Sequence, residues 1–99
     1  MSAPEFHLVF ATRAQSDLDD IFAYTLAMWG EQQLEKSAGL LGKAFEKIKT
    51  NPQSGRAIFK PYLKLYAAEH AVFYRIEGDT ITIIRILHGR MDSTRHLPE

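Results

Sequence analysis

The chemistry of this 99-residue chain concentrates near its end, in Arg85-Ile-Leu-His88-Gly-Arg90-Met-Asp92 followed by Arg95-His96. Guanidinium groups offer fixed forks of donors to phosphate or carboxylate, and an imidazole changes charge near neutrality, so the mixture suits anion recognition. His88, Arg90 and Asp92 fall beyond the last predicted strand, where exposed polar side chains serve binding more than packing. Arg85 lies inside that strand on the side expected to meet helices, and there it needs a helix carboxylate or an outlet to solvent. Asp17, Asp19 and Asp20 cluster near the start of a predicted helix, where solvation and the helix dipole account for them better than acid–base work does. With no cysteine, and with His70, His88 and His96 off the i, i+4 spacing of a helical metal pair, neither a metal nor any other cofactor is expected. Walker, Gly-x-Gly-x-x-Gly, His-Glu-x-x-His and Gly-x-Ser-x-Gly motifs are all missing from the sequence.

The elements that must position these residues can be read from periodicity. Residues 5–10 alternate as a short strand, with His7 and Val9 on one face and Phe6, Leu8 and Phe10 on the other. Thr12-Arg-Ala-Gln15 has the form of a capping box. Beyond it Ala14, Leu18, Ile21, Phe22, Thr25, Met28 and Trp29 make one apolar helical stripe that Gly30 closes. Leu34, Ala38, Leu41, Phe45 and Ile48 mark a second helix, with Gly39 and Gly42 read as aids to close packing and Asn51-Pro52 as its end. A near-direct link at Gly30 predicts an antiparallel helical hairpin. Residues 51–61 read as a loop and residues 62–68 as a strand. Residues 70–77 and 80–88 are β-branched and aromatic strands joined by the two-residue turn Gly78-Asp79. The result is a single α+β domain over residues 1–99, β-α-α-β-β-β, with the hairpin packed on a small, mainly antiparallel sheet.

A two-residue turn sets a register pairing Glu77 with Thr80, Ile76 with Ile81, Tyr74 with Ile83, Phe73 with Ile84 and Val72 with Arg85. Val72, Tyr74, Ile76, Ile81, Ile83, Arg85 and Leu87 then share the helix-covered face. The opposite face gathers Phe73, Ile84 and Ile86, a patch either roofed by the C-terminal tail or left for a partner. A second apolar surface lies on the hairpin near Tyr24, Met28 and Trp29.

Twelve basic and twelve acidic side chains balance to zero net charge, which removes a general electrostatic grip on nucleic acid. Residues 1–55 carry five basic and seven acidic groups, and residues 56–99 the reverse. No apolar run approaches the roughly 20 residues of a membrane span, and Met-Ser-Ala-Pro-Glu lacks the basic start of a signal peptide, so a cytoplasmic protein is expected.

Three segments together, Arg13-Ala-x-x-Asp17-Leu18-x-x-Ile21-x-x-Tyr24, His70-Ala-Val-Phe-Tyr-Arg-Ile76 and Ile83-Ile-Arg-Ile-Leu-His-Gly-Arg-Met-Asp92, resemble the ParE branch of the RelE/ParE toxins of bacterial type II toxin-antitoxin modules. The resemblance implies a small toxin neutralised by a cognate antitoxin, ParD-like or other, in a heterotetramer or larger assembly. It also implies inhibition of DNA gyrase without enzymatic turnover, and no sequence-specific nucleic-acid binding by the toxin alone. On this reading Arg85, His88, Arg90 and Asp92 face the target. Tyr24, Met28, Trp29, Phe73, Ile84 and Ile86 face the antitoxin, with Arg75 and Arg85 available to its acidic side chains. The RelE branch cuts mRNA on the ribosome with a strongly basic site and a C-terminal Tyr or His. Zero net charge and the lack of any tyrosine after Tyr74 depart from that pattern, while Lys64, Arg85 and His88 keep the nuclease alternative open. A non-toxic, partner-dependent remnant is the third reading.

Overall fold

The computed structural model describes residues 5–89 and residue 97. Strand β1 (His7–Phe10) leads into helices α1 (Thr12–Trp29) and α2 (Glu31–Thr50), and a 3₁₀ turn (Pro52–Ser54) precedes β2 (Arg56–Ala57), β3 (Tyr62–Ala67), β4 (His70–Glu77) and β5 (Thr80–His88). The sheet runs β1-β5-β4-β3-β2, with β1 parallel to β5 and every other pair antiparallel. The expected layers are therefore present, with one strand more than expected. Arg56 and Ala57 pair with Lys64 and Leu63 inside the segment read as loop, because two residues are too few to show a strand period.

Both helices bury their apolar stripes against one face of the sheet. Ala14, Leu41, Ala44 and Ile48 join Val72, Tyr74, Ile81, Ile83 and Ile86 in the main core. Full burial of a side chain such as Leu41 or Ile48 is worth about 1.5–3 kcal/mol. Phe45 meets Phe10 edge to face at 5.1 Å and ties α2 to the end of β1. Gly30, at φ +87°, makes the one-residue link between helices as expected.

Two local expectations fail. Ala11, not Thr12, is the N-cap of α1, so Thr12 sits one residue late for a capping box and Gln15 donates instead to Asp19. Gly39 and Gly42 face open space, where added Cβ atoms would meet nothing within 4 Å, so neither serves close packing. Met28 and Trp29, 59% and 68% exposed, carry the end of the α1 stripe out of the core, where with Tyr24 they form the outer apolar surface expected on the hairpin.

A third correction shapes the site. Pairing from Glu77–Thr80 to Tyr74–Ile83 follows the expected register, but a β-bulge between Phe73 and Tyr74 then sets Phe73 opposite Arg85, Val72 opposite Ile86 and His70 opposite His88. Ile84 is the extra residue, and beyond it the side chains of β5 exchange faces. Ile86 thus turns to the helices, while Leu87 joins Ala71, Phe73 and Ile84 behind the sheet. That rear cluster is closed by Tyr62, Ile58 and Leu97. Phe73, Ile84 and Ile86 are 2%, 5% and 2% exposed, so of the two alternatives for this patch the structure shows the roofed one for Phe73 and Ile84, with tail residue Leu97 part of the cover, while Ile86 lies in the helix-side core.

Candidate functional site

A groove of about 850 Å³ opens where the helical hairpin meets the last residues of β5 and the turn between β3 and β4. Tyr24 and Trp29 from α1 and Leu40 from α2 form its apolar walls, all exposed. Asp17, Arg85 and Ile86 also line it, as do His70 and His88.

The geometry at Asp17 follows from a gap in the sheet. Strand β1 covers β5 only from Thr80 to Ile83, and the Ala11 amide donates to the Ile83 carbonyl at 2.9 Å, which leaves the next part of that edge without a strand neighbour among the described residues. Asp17 fills the gap. Its Oδ2 accepts from Arg85 Nε at 2.7 Å and from the Ile86 amide at 3.0 Å, and its Oδ1 accepts from Arg85 Nη2 at 2.9 Å. One carboxylate thereby pairs a largely buried guanidinium and satisfies a strand-edge N–H, joining α1 to β5. These hydrogen bonds hold the Arg85 pKa above the ordinary guanidinium value, outweighing the opposing effect of burial. The helix carboxylate expected for Arg85 is therefore Asp17, and its role is this clasp, because α1 has no acidic residue in its first turn to serve the dipole.

The bulge supplies the second feature. Without it His88 would pair with Glu69; with it, the rings of His70 and His88 oppose each other, centroids 5.9 Å apart and nearly perpendicular. Burial foremost and then the neighbouring His88 lower the His70 pKa, against an upward pull from Glu69. The Nδ1 atom of His70 is buried without a hydrogen-bond partner. Among the described residues no group of three or more His, Cys, Asp or Glu is placed to hold a metal ion.

The groove thus brings together Tyr24, Trp29, Arg85, Ile86 and His88 from the expected set. Met28 is exposed but outside the lining, and Phe73 and Ile84 lie behind the sheet. Arg75 sits by Glu77, with Nε 3.0 Å from its carboxylate, but the Glu77 side chain is 68% exposed and Nε makes no hydrogen bond among the described residues, so this pair is looser than that of Arg85 with Asp17. Arg90 and Asp92 lie outside the described residues. Sequence reasoning missed His70, whose only signal was its place one hairpin away from His88, and Leu40, which stands off the apolar stripe of α2.

Comparison with known proteins extends this picture. Residues 8–93 match the family model "ParE toxin of type II toxin-antitoxin system, parDE". Toxin ParE1 of Mycobacterium tuberculosis is 41% identical over 88 residues, covering 85% of this chain and 90% of the relative. Toxin ParE1 of Caulobacter vibrioides is 36% identical over 88 residues, covering 86% and 91%. The fold is shared with a chain of the chromosomal ParDE system from P. aeruginosa, at TM-score 0.74 and 20% identity over 87% of this chain and 98% of that one. A chain of the RelBE2 toxin-antitoxin complex from Mycobacterium tuberculosis superposes with TM-score 0.62 at 20% identity, covering 85% and 98%.

Proposed function

The chain belongs to the ParE toxin family of type II toxin-antitoxin systems, and from that premise we propose that it blocks replication by inhibiting DNA gyrase stoichiometrically, without turnover, until a cognate antitoxin neutralises it. The observation that carries this reading is similarity to ParE1 toxins over 85% or more of the chain, with the family model matched across residues 8–93, a range that includes the helical hairpin and the strands around the groove. The groove supports the antitoxin half. Tyr24 and Trp29 are large, exposed and adjacent, so an amphipathic segment laid between the hairpin and β5 would cover apolar area that the chain leaves in water. Met28 extends that surface. Arg85 contributes less to an acidic partner than expected, because Asp17 already holds it through two hydrogen bonds, whereas Arg75, beside the exposed Glu77, stays accessible to one. The target surface is assigned to His88 with Arg90 and Asp92, and Arg85 supports it from within.

The alternative is ribosome-dependent mRNA cleavage, which needs cations converging on a phosphate. Asp17 neutralises Arg85 and Lys64 rests 4.9 Å from the Tyr66 ring centroid, an arrangement that favours the gyrase reading. Purified toxin incubated with gyrase, ATP and supercoiled or relaxed plasmid should arrest supercoiling or trap cleaved DNA, and added antitoxin should restore activity. Unaffected gyrase together with codon-specific cuts in a primer-extension assay would reverse the choice.

A further inference from the structure

We propose that His70 and His88 form a two-imidazole clamp for a divalent transition-metal ion of the Zn²⁺, Ni²⁺ or Cu²⁺ class at the mouth of the groove. The inference is independent of which cellular target the toxin inhibits. It rests on the juxtaposition created by the β-bulge: two histidines in direct register on neighbouring antiparallel strands, their ring centroids 5.9 Å apart. That distance is decisive. With a metal–nitrogen bond of about 2.0–2.1 Å and about 1.1 Å from nitrogen to ring centre, an ion sits about 3.2 Å from each centroid. Two rings can therefore share one ion at any centroid separation up to about 6.4 Å, and a tetrahedral angle is reached near 5.2 Å. The observed separation falls between these limits, and because the rings stand nearly perpendicular, edge to face, the clamp needs side-chain reorientation that turns one nitrogen of each toward a common point.

Three further features fit an ion. His70 Nδ1 is buried and lacks a hydrogen-bond partner among the described residues, a cost that a ring flip turning it toward the ion would relieve. His88 is exposed and also borders a shallow hollow lined by Tyr66, Ala68, Glu69 and Gly89, which gives a path from solvent. Glu69, exposed between the two cavities, adds negative potential for an approaching cation. Imidazole donors select this class of metal over Mg²⁺ or Ca²⁺. Two protein donors leave the remaining positions to water or to a side chain from a docked partner.

The test uses untagged, full-length chain titrated calorimetrically with the chloride salts of Zn²⁺, Ni²⁺ and Cu²⁺. One-to-one binding is expected, tightest for Cu²⁺. His88→Gln, at an exposed position, and His70→Gln should each weaken binding at least about tenfold, which is 1.4 kcal/mol. His7→Gln, at the opposite end of the sheet, should leave it unchanged. A measurement on the unaltered chain guards against a variant that misfolds: substoichiometric Cu²⁺ should broaden the imidazole proton resonances of His70 and His88 before those of His7 and His96. No binding of any of the three ions, binding insensitive to His88→Gln, or broadening centred on His7 or His96 would overturn the proposal.

Discussion

Replacing Asp17 by Ala should be among the most destabilising single substitutions outside the apolar core. The change removes three acceptor contacts at once, to Arg85 Nε at 2.7 Å, Arg85 Nη2 at 2.9 Å and the Ile86 amide at 3.0 Å. Breaking a buried pair by deleting one partner costs about 3–5 kcal/mol, and an orphaned backbone N–H about 1–3 kcal/mol. The two penalties overlap. The side chains of Arg85 and Asp17 also retain 10% and 14% exposure, so water offsets part of the loss. We expect a net cost of about 2–4 kcal/mol, against a total stability of about 5–15 kcal/mol for a domain of this size. In a chain of about 100 residues that corresponds to a fall in Tm of roughly 10–25 °C. Asp17→Asn, which keeps one acceptor for the Ile86 amide, should cost about half as much. Arg85→Met combined with Asp17→Ala should be less damaging than the sum of the singles, since no unpaired charge remains. Urea unfolding followed by circular dichroism measures the parent, the singles Asp17→Ala, Asp17→Asn and Arg85→Met, and the double variant. Stability of Asp17→Ala within about 0.5 kcal/mol of the parent, or strict additivity in the double variant, would refute the clasp.

Other substitutions probe the loop, the turn and the groove. Tyr74→Phe removes a hydroxyl that donates to the Pro52 carbonyl at 2.7 Å and accepts from the Gly55 amide at 2.9 Å, and should cost about 1–3 kcal/mol by urea melt. Gly55→Ala should also destabilise, because a Cβ there collides with that hydroxyl. Burial raises the Tyr74 pKa above 10, so the folded state holds a proton the unfolded state releases; stability contributed by this group is present below pH 10 and falls as pH rises above it, and Tyr74→Phe should flatten that alkaline slope. Ala68 stands at φ +55°, where a side chain costs about 1–2 kcal/mol, so Ala68→Gly should stabilise by about 0.5 kcal/mol after glycine's entropy cost, checked by thermal melt. Trp29→Ser should change stability by less than about 0.5 kcal/mol, yet weaken antitoxin binding by about 2 kcal/mol or more in calorimetry.

Much of the fold was legible because its signals are local. A two-residue turn with Gly78 at φ +59° fixes where β4 and β5 meet, and the strand limits 70–77 and 80–88 follow from composition alone. The stripe of α2 is legible for the same reason, as Leu41 and Ile48 are among the most buried residues. At the far end of helix α1 periodicity reports only which residues share a face, and the outer surface expected near Tyr24, Met28 and Trp29 marks where the sheet beneath that face stops. Met28 and Trp29 continue the stripe and are nevertheless in water. Asp17 was legible as a charge but not as a clasp, since its partner lies 68 residues away.

The bulge is the hardest feature to foresee and the one with most consequence for the site. Val, Ile, Phe and Leu occupy both faces of β4 and β5, so no polar–apolar alternation distinguishes one register from the next beyond Tyr74. What selects the shifted register is long-range. Ile86 gains the helix-side core, Leu87 gains the rear cluster with Leu97, and Arg85 and the Ile86 amide reach the same carboxylate of Asp17. Those gains offset the ladder bond that a bulge gives up. The same one-residue shift carries His88 away from Glu69 and opposite His70, so the histidine pair at the groove mouth is a consequence of how the core closes, and a substitution that restores the regular register would dismantle it without touching either histidine.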